Sequence, residues 1–297
     1  MKRQDMPPQG ELTPPSRFTL EYVDPAPELA QLVTTFYHFQ CDDREIRDIQ
    51  PAAIGHLALF PLGKGAMSRP DGGSDPSHEV NLLTPFAQAM PFVMKGPFHA
   101  VGAALTPLGW AGLTGLHAGE HANRLYDATD YLPQDAVQAG KDACAAYRAG
   151  EADGPALIAL LGGLIAANLA LPAERYMRLI GVTAQWLAAS DAPEIEDLYA
   201  ASPYSRRQTQ RLVERFFGSS PVALRRKYRA LRAAALFARP DLTDAQADAV
   251  IGAFYDQPHM IHEIRYFAGR TPARLSSDDT PYLRELVDIK NLRELGS

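Results

Sequence analysis

The pattern F-x-G-x-[ST]-P-x-x-L occurs twice with an offset of 51 residues: Phe216-Phe217-Gly218-Ser219-Ser220-Pro221 with Leu224, and Phe267-Ala268-Gly269-Arg270-Thr271-Pro272 with Leu275. A glycine just past the last helical turn takes the left-handed conformation that ends a helix, and a proline is tolerated at the first position of the next one. Each copy therefore predicts a helix stop followed at once by a helix start. Eleven residues before each phenylalanine stands an N-cap candidate, Ser205 in one copy and Asp256 in the other. Ahead of each capped helix comes a short amphipathic stretch and a tight break. In the first copy these are Glu194 to Ala201 and Ser202-Pro203-Tyr204; in the second, Ala245 to Gly252 and Ala253-Phe254-Tyr255. Short helix, three-residue turn and capped second helix are the outline of a helix-turn-helix, so two equal units of this kind are expected.

The rest of the chain reads differently. At 297 residues there is room for two domains of roughly 100–200 residues each. Up to about residue 135 short apolar runs such as His56 to Leu62 and His99 to Leu108 alternate with turn-formers, and Arg69 to Ser77 is a loop by composition. From Gln134 alanine- and leucine-rich helical periodicity takes over. The expected fold class is α+β: a β-rich, sensor-like or dimerising N-terminal domain over 1–135, a helical connecting segment over 136–192, an all-α domain of two helix-turn-helix units joined by a linker helix over 193–275, and a tail over 276–297. Ala156 to Leu171 is 16 residues long and contains Asn168, too short to span a membrane, and reads as a buried core helix. Cys41 and Cys144 are far apart and in no metal-like spacing, which suits two buried thiols in a reducing cytoplasm. The N-terminal arm is polar and proline-rich without an apolar core, so no export signal is expected.

Charge informs only when divided. The chain carries −6, yet Ile195 to Leu275 holds 13 basic against 8 acidic residues, and between Ser205 and Arg232 nine basic residues meet one acid, Glu214. That density suits a surface facing phosphates. On the first capped helix Thr209, Leu212, Val213 and Phe216 form the apolar stripe, and Arg207, Gln210, Arg211 and Glu214 fall on the opposite face. Arginine can take guanine O6 and N7 and glutamine adenine N6 and N7, each with two hydrogen bonds, so such a row suits a DNA major groove. Arg206, Arg215, Arg225, Arg226 and Lys227 lie outside the row and are the phosphate candidates. A linking helix from Pro221 to about Ala238 would be about 27 Å long, comparable to the roughly 34 Å repeat of B-DNA. The second capped helix has a sound stripe, Met260, Ile264 and Phe267, and exposes Gln257, Pro258, His259 and His262, a weaker base-reading set.

With S-R-R-Q-x-Q-R, F-G-S-S-P, Y-D-Q-P-H and G-R-T-P in order, the stretch from about Ile195 to Leu275 resembles the C-terminal DNA-binding domain of the AraC/XylS family of bacterial transcription regulators. The resemblance implies base contacts at Arg207, Gln210 and Arg211 in the first unit and at Gln257, Pro258, His259 and His262 in the second. Two positions depart from the family pattern: Ala253 stands where glycine is usual in the second turn, and His262 where arginine is common. The part before it, with GAALTPLGWAGLTGL as the nearest stretch, is more diffusely similar to the family's β-rich sensor domains. A chain of this type is expected to be a cytoplasmic, sequence-specific transcription regulator and not an enzyme. Its partners would be double-stranded promoter or operator DNA, with a small-molecule effector and a second copy of the chain as further candidates, and no cofactor is called for.

The rival is His117-Ala118-Gly119-Glu120-His121, which fits H-x-x-E-H, a zinc-peptidase signature with two histidines on one helix face and a glutamate as general base. That reading, a zinc-dependent hydrolase, needs a helix through Gly119 and a third ligand, for which no motif stands out. A further alternative is a derivative whose second unit has lost base reading and which binds DNA without sequence preference. No G-x-S-x-G, P-loop or G-x-G-x-x-G occurs.

Overall fold

The computed structural model describes residues 12, 13, 17–190, 192–239 and 241–275; the expected tail 276–297 lies outside the described residues. Among these, eight strands make one antiparallel sheet: β1 (Phe18–Val23), β2 (Val33–Cys41), β3 (Glu45–Gln50), β4 (His56–Ser68), β5 (Ser74–Pro76), β6 (Val80–Leu83), β7 (Met90–Leu105) and β8 (Leu125–Asp127). The main path runs β1-β2-β7-β4-β6-β8, with β3 paired to β7 and β5 to β4. The long β7 is the spine of the sheet. The segment expected as a loop, Arg69 to Ser77, turns at Arg69–Gly73 and then forms β5.

Both faces of the sheet are covered, as the alternation along the strands requires. In β4, Leu57 and Leu59 point to one core and Ala58 and Phe60 to the other. The first core is closed by α1 (Pro107–Thr114), α2 (Gln134–Ala149) and α3 (Gly154–Ala167). Leu157, Leu161 and Ile165 of α3 are fully buried there, each stabilising by about 1.5–3 kcal/mol relative to exposure. The expected core helix within Ala156 to Leu171 is α3. Trp110 of α1 is buried with its indole against Gly55, a contact that leaves no room for a side chain at that position. On α2 the Tyr147 hydroxyl lies 3.0 Å from His38 Nε2 and 2.8 Å from His99 Nδ1, which ties the helix to β2 and β7. The second core is rich in aromatic and methionine side chains, among them Phe39, Phe60, Met67, Phe92 and Phe98. Cys41 and Cys144 are both buried and free.

The remaining helices are α4 (Glu174–Ala188), α5 (Ile195–Ala201), α6 (Arg206–Phe217), α7 (Pro221–Phe237), α8 (Asp244–Gly252), α9 (Gln257–Ala268) and α10 (Pro272–Leu275). They share one core, to which α4 contributes Leu179, Ile180, Trp186 and Leu187. Trp186 Nε1 donates to Glu194 O at 2.7 Å, fixing α4 to the entry of α5. The stretch 136–192, expected as a single connecting segment, is thus divided by its packing: α2 and α3 belong to the sheet, α4 to the helical domain. Composition marks where strands give way to helices, whereas burial decides which core a helix joins.

Candidate nucleic-acid interface

The two helix-turn-helix units are α5–α6 and α8–α9, joined by α7. Ser205 caps α6 by accepting from Gln208 N, and Asp256 caps α9 by accepting from His259 N. Gly218 and Gly269 close these helices in the left-handed region, at φ of +78° and +79°. Ser220 then caps α7, whose first residue is Pro221. In the first turn the buried Thr209 hydroxyl meets Ser202 Oγ at 2.6 Å. Ala253, standing where the family has glycine, sits at φ −77° and ψ −8°, right-handed backbone that needs no glycine.

Helix α6 buries Thr209, Leu212, Val213, Phe216 and Phe217, and leaves Arg207, Gln210, Arg211 and Glu214 exposed. None of the Arg207, Gln210 and Arg211 side chains hydrogen-bonds or ion-pairs with another described residue. The other expected cations are mostly engaged. Arg206, exposed at the helix start, forms a two-pronged pair with Glu196 and lies over the Tyr199 ring. Arg215 is exposed with its guanidinium 5.8 Å from the Phe216 ring. On α7, Arg225 reaches Glu194 and Arg226 reaches Glu263. The expectation that Lys227 faces phosphate is corrected: it is 3% exposed and its ammonium donates to Ala53 O of the sheet domain at 3.1 Å. Helical periodicity placed it on a basic stretch but could not show that the sheet domain covers that side of α7.

Helix α9 is built around a buried charge. Glu263, wholly buried, accepts from Arg226 Nε and Arg229 Nη2 at 2.6 Å each, and His259 Nε2 lies 3.3 Å from it. Burial alone would raise its carboxyl; the two guanidinium hydrogen bonds and their charge outweigh this and hold it below the ordinary glutamate range. His259, expected at the bases, leans on Glu263 and on the Phe254 ring. Gln257, Pro258 and His262 are exposed as expected, and so are Ile261 and Arg265, which the motif pattern did not single out. The 51-residue repeat offered the missing signal, since it sets Ile261 and Arg265 at the positions of Gln210 and Glu214. His262 stacks on Tyr266, rings 6.5 Å apart and 9° from parallel.

The H-x-x-E-H run does not form the zinc site. Residues 118–121 make a turn after α1 closes at Gly115, not a helix. His121 meets the Tyr126 hydroxyl at 3.1 Å while His117 faces Glu120, and no cluster of three metal-ligating side chains occurs among the described residues. In the sheet domain a cavity of about 60 Å³ is lined by Tyr37, Phe39, Phe60, Phe92 and Met94, together with the polar Gln50 and His56. Burial, with the Lys227 charge nearby, pushes His56 down to about 4, so the ring is neutral.

No family model and no curated protein matches the chain. Among solved structures, ToxT from Vibrio cholerae is similar in two crystal structures: one at 10% identity and TM-score 0.46, covering 89% of this chain and 99% of that one, the other, from strain O395, at 8% and 0.45, covering 90% and 99%. The AraC-like transcriptional activator CuxR is similar at 12% identity and TM-score 0.33, covering 73% of this chain and 86% of that one. At these identities and TM-scores neither fold nor function is drawn from the likeness, and both rest on the residues described above.

Proposed function

We propose that the chain is a sequence-specific DNA-binding transcription regulator of the AraC/XylS type, reading duplex DNA chiefly through α6. One observation carries the reading: Arg207 and Arg211, with Gln210 between them, stand exposed on one face of a doubly capped helix with no partner among the described residues. An arginine left unpaired inside a stretch whose other cations are mostly engaged is available to a ligand, and its forked donors fit guanine edges. Arg206 and Arg215 flank the row and suit phosphates. A small apolar effector in the sheet domain would have to open its apolar cavity, which at about 60 Å³ is smaller than ordinary ligand sites of roughly 300–1,000 Å³. The hydrolase alternative has no support in the geometry of residues 117–121.

Selection of bound duplexes from a random pool by the purified full chain tests the reading. A defined motif is the expected result, and loss of specified base pairs from it in the Arg207→Ala/Arg211→Ala variant would assign them to α6. Failure to enrich any motif at moderate salt would sink the specific-regulator reading.

A further inference from the structure

The sheet domain touches both recognition helices, and at equivalent places. The last carbonyls of a helix have no partner within it and must be satisfied from outside. In α6 the Arg215 carbonyl accepts from Ala118 N at 2.7 Å; in α9 the Tyr266 carbonyl, its counterpart 51 residues on, accepts from Ala89 N at 2.9 Å, and the next, Phe267 O, from Ala52 N at 2.7 Å. The closing glycines are seated likewise. A side chain at Gly218 would come within 3.1 Å of Pro85, and one at Gly269 would collide with Ile49. Around the second seat Arg270 pairs with Asp48, both buried, and Lys227 donates to Ala53 O. Beside the first, Gly119 packs so closely on Glu214 that a Cβ there would lie 2.9 Å from its side chain.

These seats hold the helices by their C-terminal ends and leave the reading faces open: Arg207, Gln210, Arg211, Gln257, Ile261, His262 and Arg265 all remain exposed. The contact is therefore not a lid over the DNA surface. Two readers held on one rigid body bind a two-part site as a single event only at the separation the body dictates, because affinity then rises with preorganisation and falls when geometry forbids simultaneous engagement. We propose that the sheet domain is a spacing template: its two seats fix the offset between α6 and α9, so that the protein recognises a bipartite duplex at one spacing. The proposal rests on the DNA-reading function proposed above.

The test uses the full chain and duplexes carrying the selected motif, its two halves moved apart or together by one and two base pairs, and duplexes with either half scrambled. Wild-type affinity should fall about tenfold or more on a shift of one or two base pairs. Asp48→Ala at the second seat and Gly119→Val at the first, each checked for cooperative unfolding, should bind the native spacing about tenfold less tightly, lose less on shifted duplexes and match wild type on a single half. Three results would overturn the template: a flat wild-type spacing profile, folded variants with the wild-type profile, or variants that bind more tightly at every spacing, which would make the seats inhibitory. The wild-type profile alone can overturn it, so a variant that fails to fold leaves the test intact. Absence of any selected motif strikes instead at the function, and is read before a spacing series is built.

Discussion

Superimposed by their 51-residue offset, the two helix-turn-helix units agree inside and disagree outside. Val213 and Ile264, Phe216 and Phe267, and Gly218 and Gly269 are equivalent, and all serve the same packing and capping roles. On the exposed face, Arg207, Gln210, Arg211 and Glu214 are answered by Pro258, Ile261, His262 and Arg265. Three interior positions also differ in character: Thr209 is answered by Met260, Phe217 by Ala268, and the buried Leu212 by the buried Glu263. The first unit keeps its interior uncharged and Arg207 and Arg211 unpaired among the described residues, while the second uses a buried carboxylate to tie Arg226 and Arg229 to its helix. A shared scaffold thus presents two unpaired arginines on the exposed face of one unit and a braced helix, with Arg265 as the one cation on its exposed face, in the other.

The largest expected effect breaks or keeps that asymmetry. Arg207→Ala/Arg211→Ala should cost about 2–6 kcal/mol of specific binding, at roughly 1–3 kcal/mol per two-pronged base contact. The counterpart exchange Pro258→Ala/His262→Ala should cost under about 1 kcal/mol, since neither side chain offers a forked donor. Competition titrations at one fixed salt concentration compare the two, and equal losses would mean that both units read alike.

Next comes the brace. Glu263→Gln removes the charge that holds Arg226 and Arg229 and should cost about 2–3 kcal/mol in denaturant unfolding, the scale of hydrogen bonds to charged groups. Because the folded carboxyl lies below its unfolded value, its contribution is present above about pH 4.3 and is lost as pH falls through the lower folded value. The variant should lack that acid-dependent part. A variant as stable as wild type, with the same acid profile, would make Glu263 an incidental charge rather than a brace.

What the units share is tested by His56, a buried ring of β4 within reach of the Lys227 charge. A histidine depressed to about 4 contributes stability in full above the unfolded value near 6.5 and loses it as pH falls toward 4, so the drop between pH 7 and pH 5 should be about 2 kcal/mol. His56→Leu should flatten this slope while leaving the difference between the units unchanged. An unaltered slope would locate the acid sensitivity elsewhere.

The repeat made the helical domain legible to within a residue at its caps, because Ser205, Asp256, Gly218 and Gly269 act through backbone geometry that neighbouring residues alone determine. The exposed row on α6 was legible for the same reason, since helical periodicity sorts faces. What stayed hidden was everything set by contacts distant in sequence. Lys227 sits in a basic run yet is covered by Ala53, 174 residues earlier, and His259 is drawn back onto Glu263 by a pairing with α7. The division of residues 136–192 between two cores was hidden too, because α3 is apolar all round and α4 on one side, and periodicity does not say what either meets.

The smallest expected effect separates phosphate contact from base reading. Arg206 opens α6 and Gln257 opens α9 at the equivalent position. Arg206 pairs with Glu196, but both side chains are well exposed, at 68% and 64%, so the pair contributes at most about 1 kcal/mol and gives way readily to a phosphate. Arg206→Ala should leave unfolding and the selected motif unchanged while lowering the slope of log affinity against log salt by about 0.9, the amount for one phosphate contact. Gln257→Ala, which removes no charge, should leave the slope alone. A changed motif for Arg206→Ala would move that residue from the backbone to the bases, and the reading row on α6 would then begin one residue earlier than its face predicts.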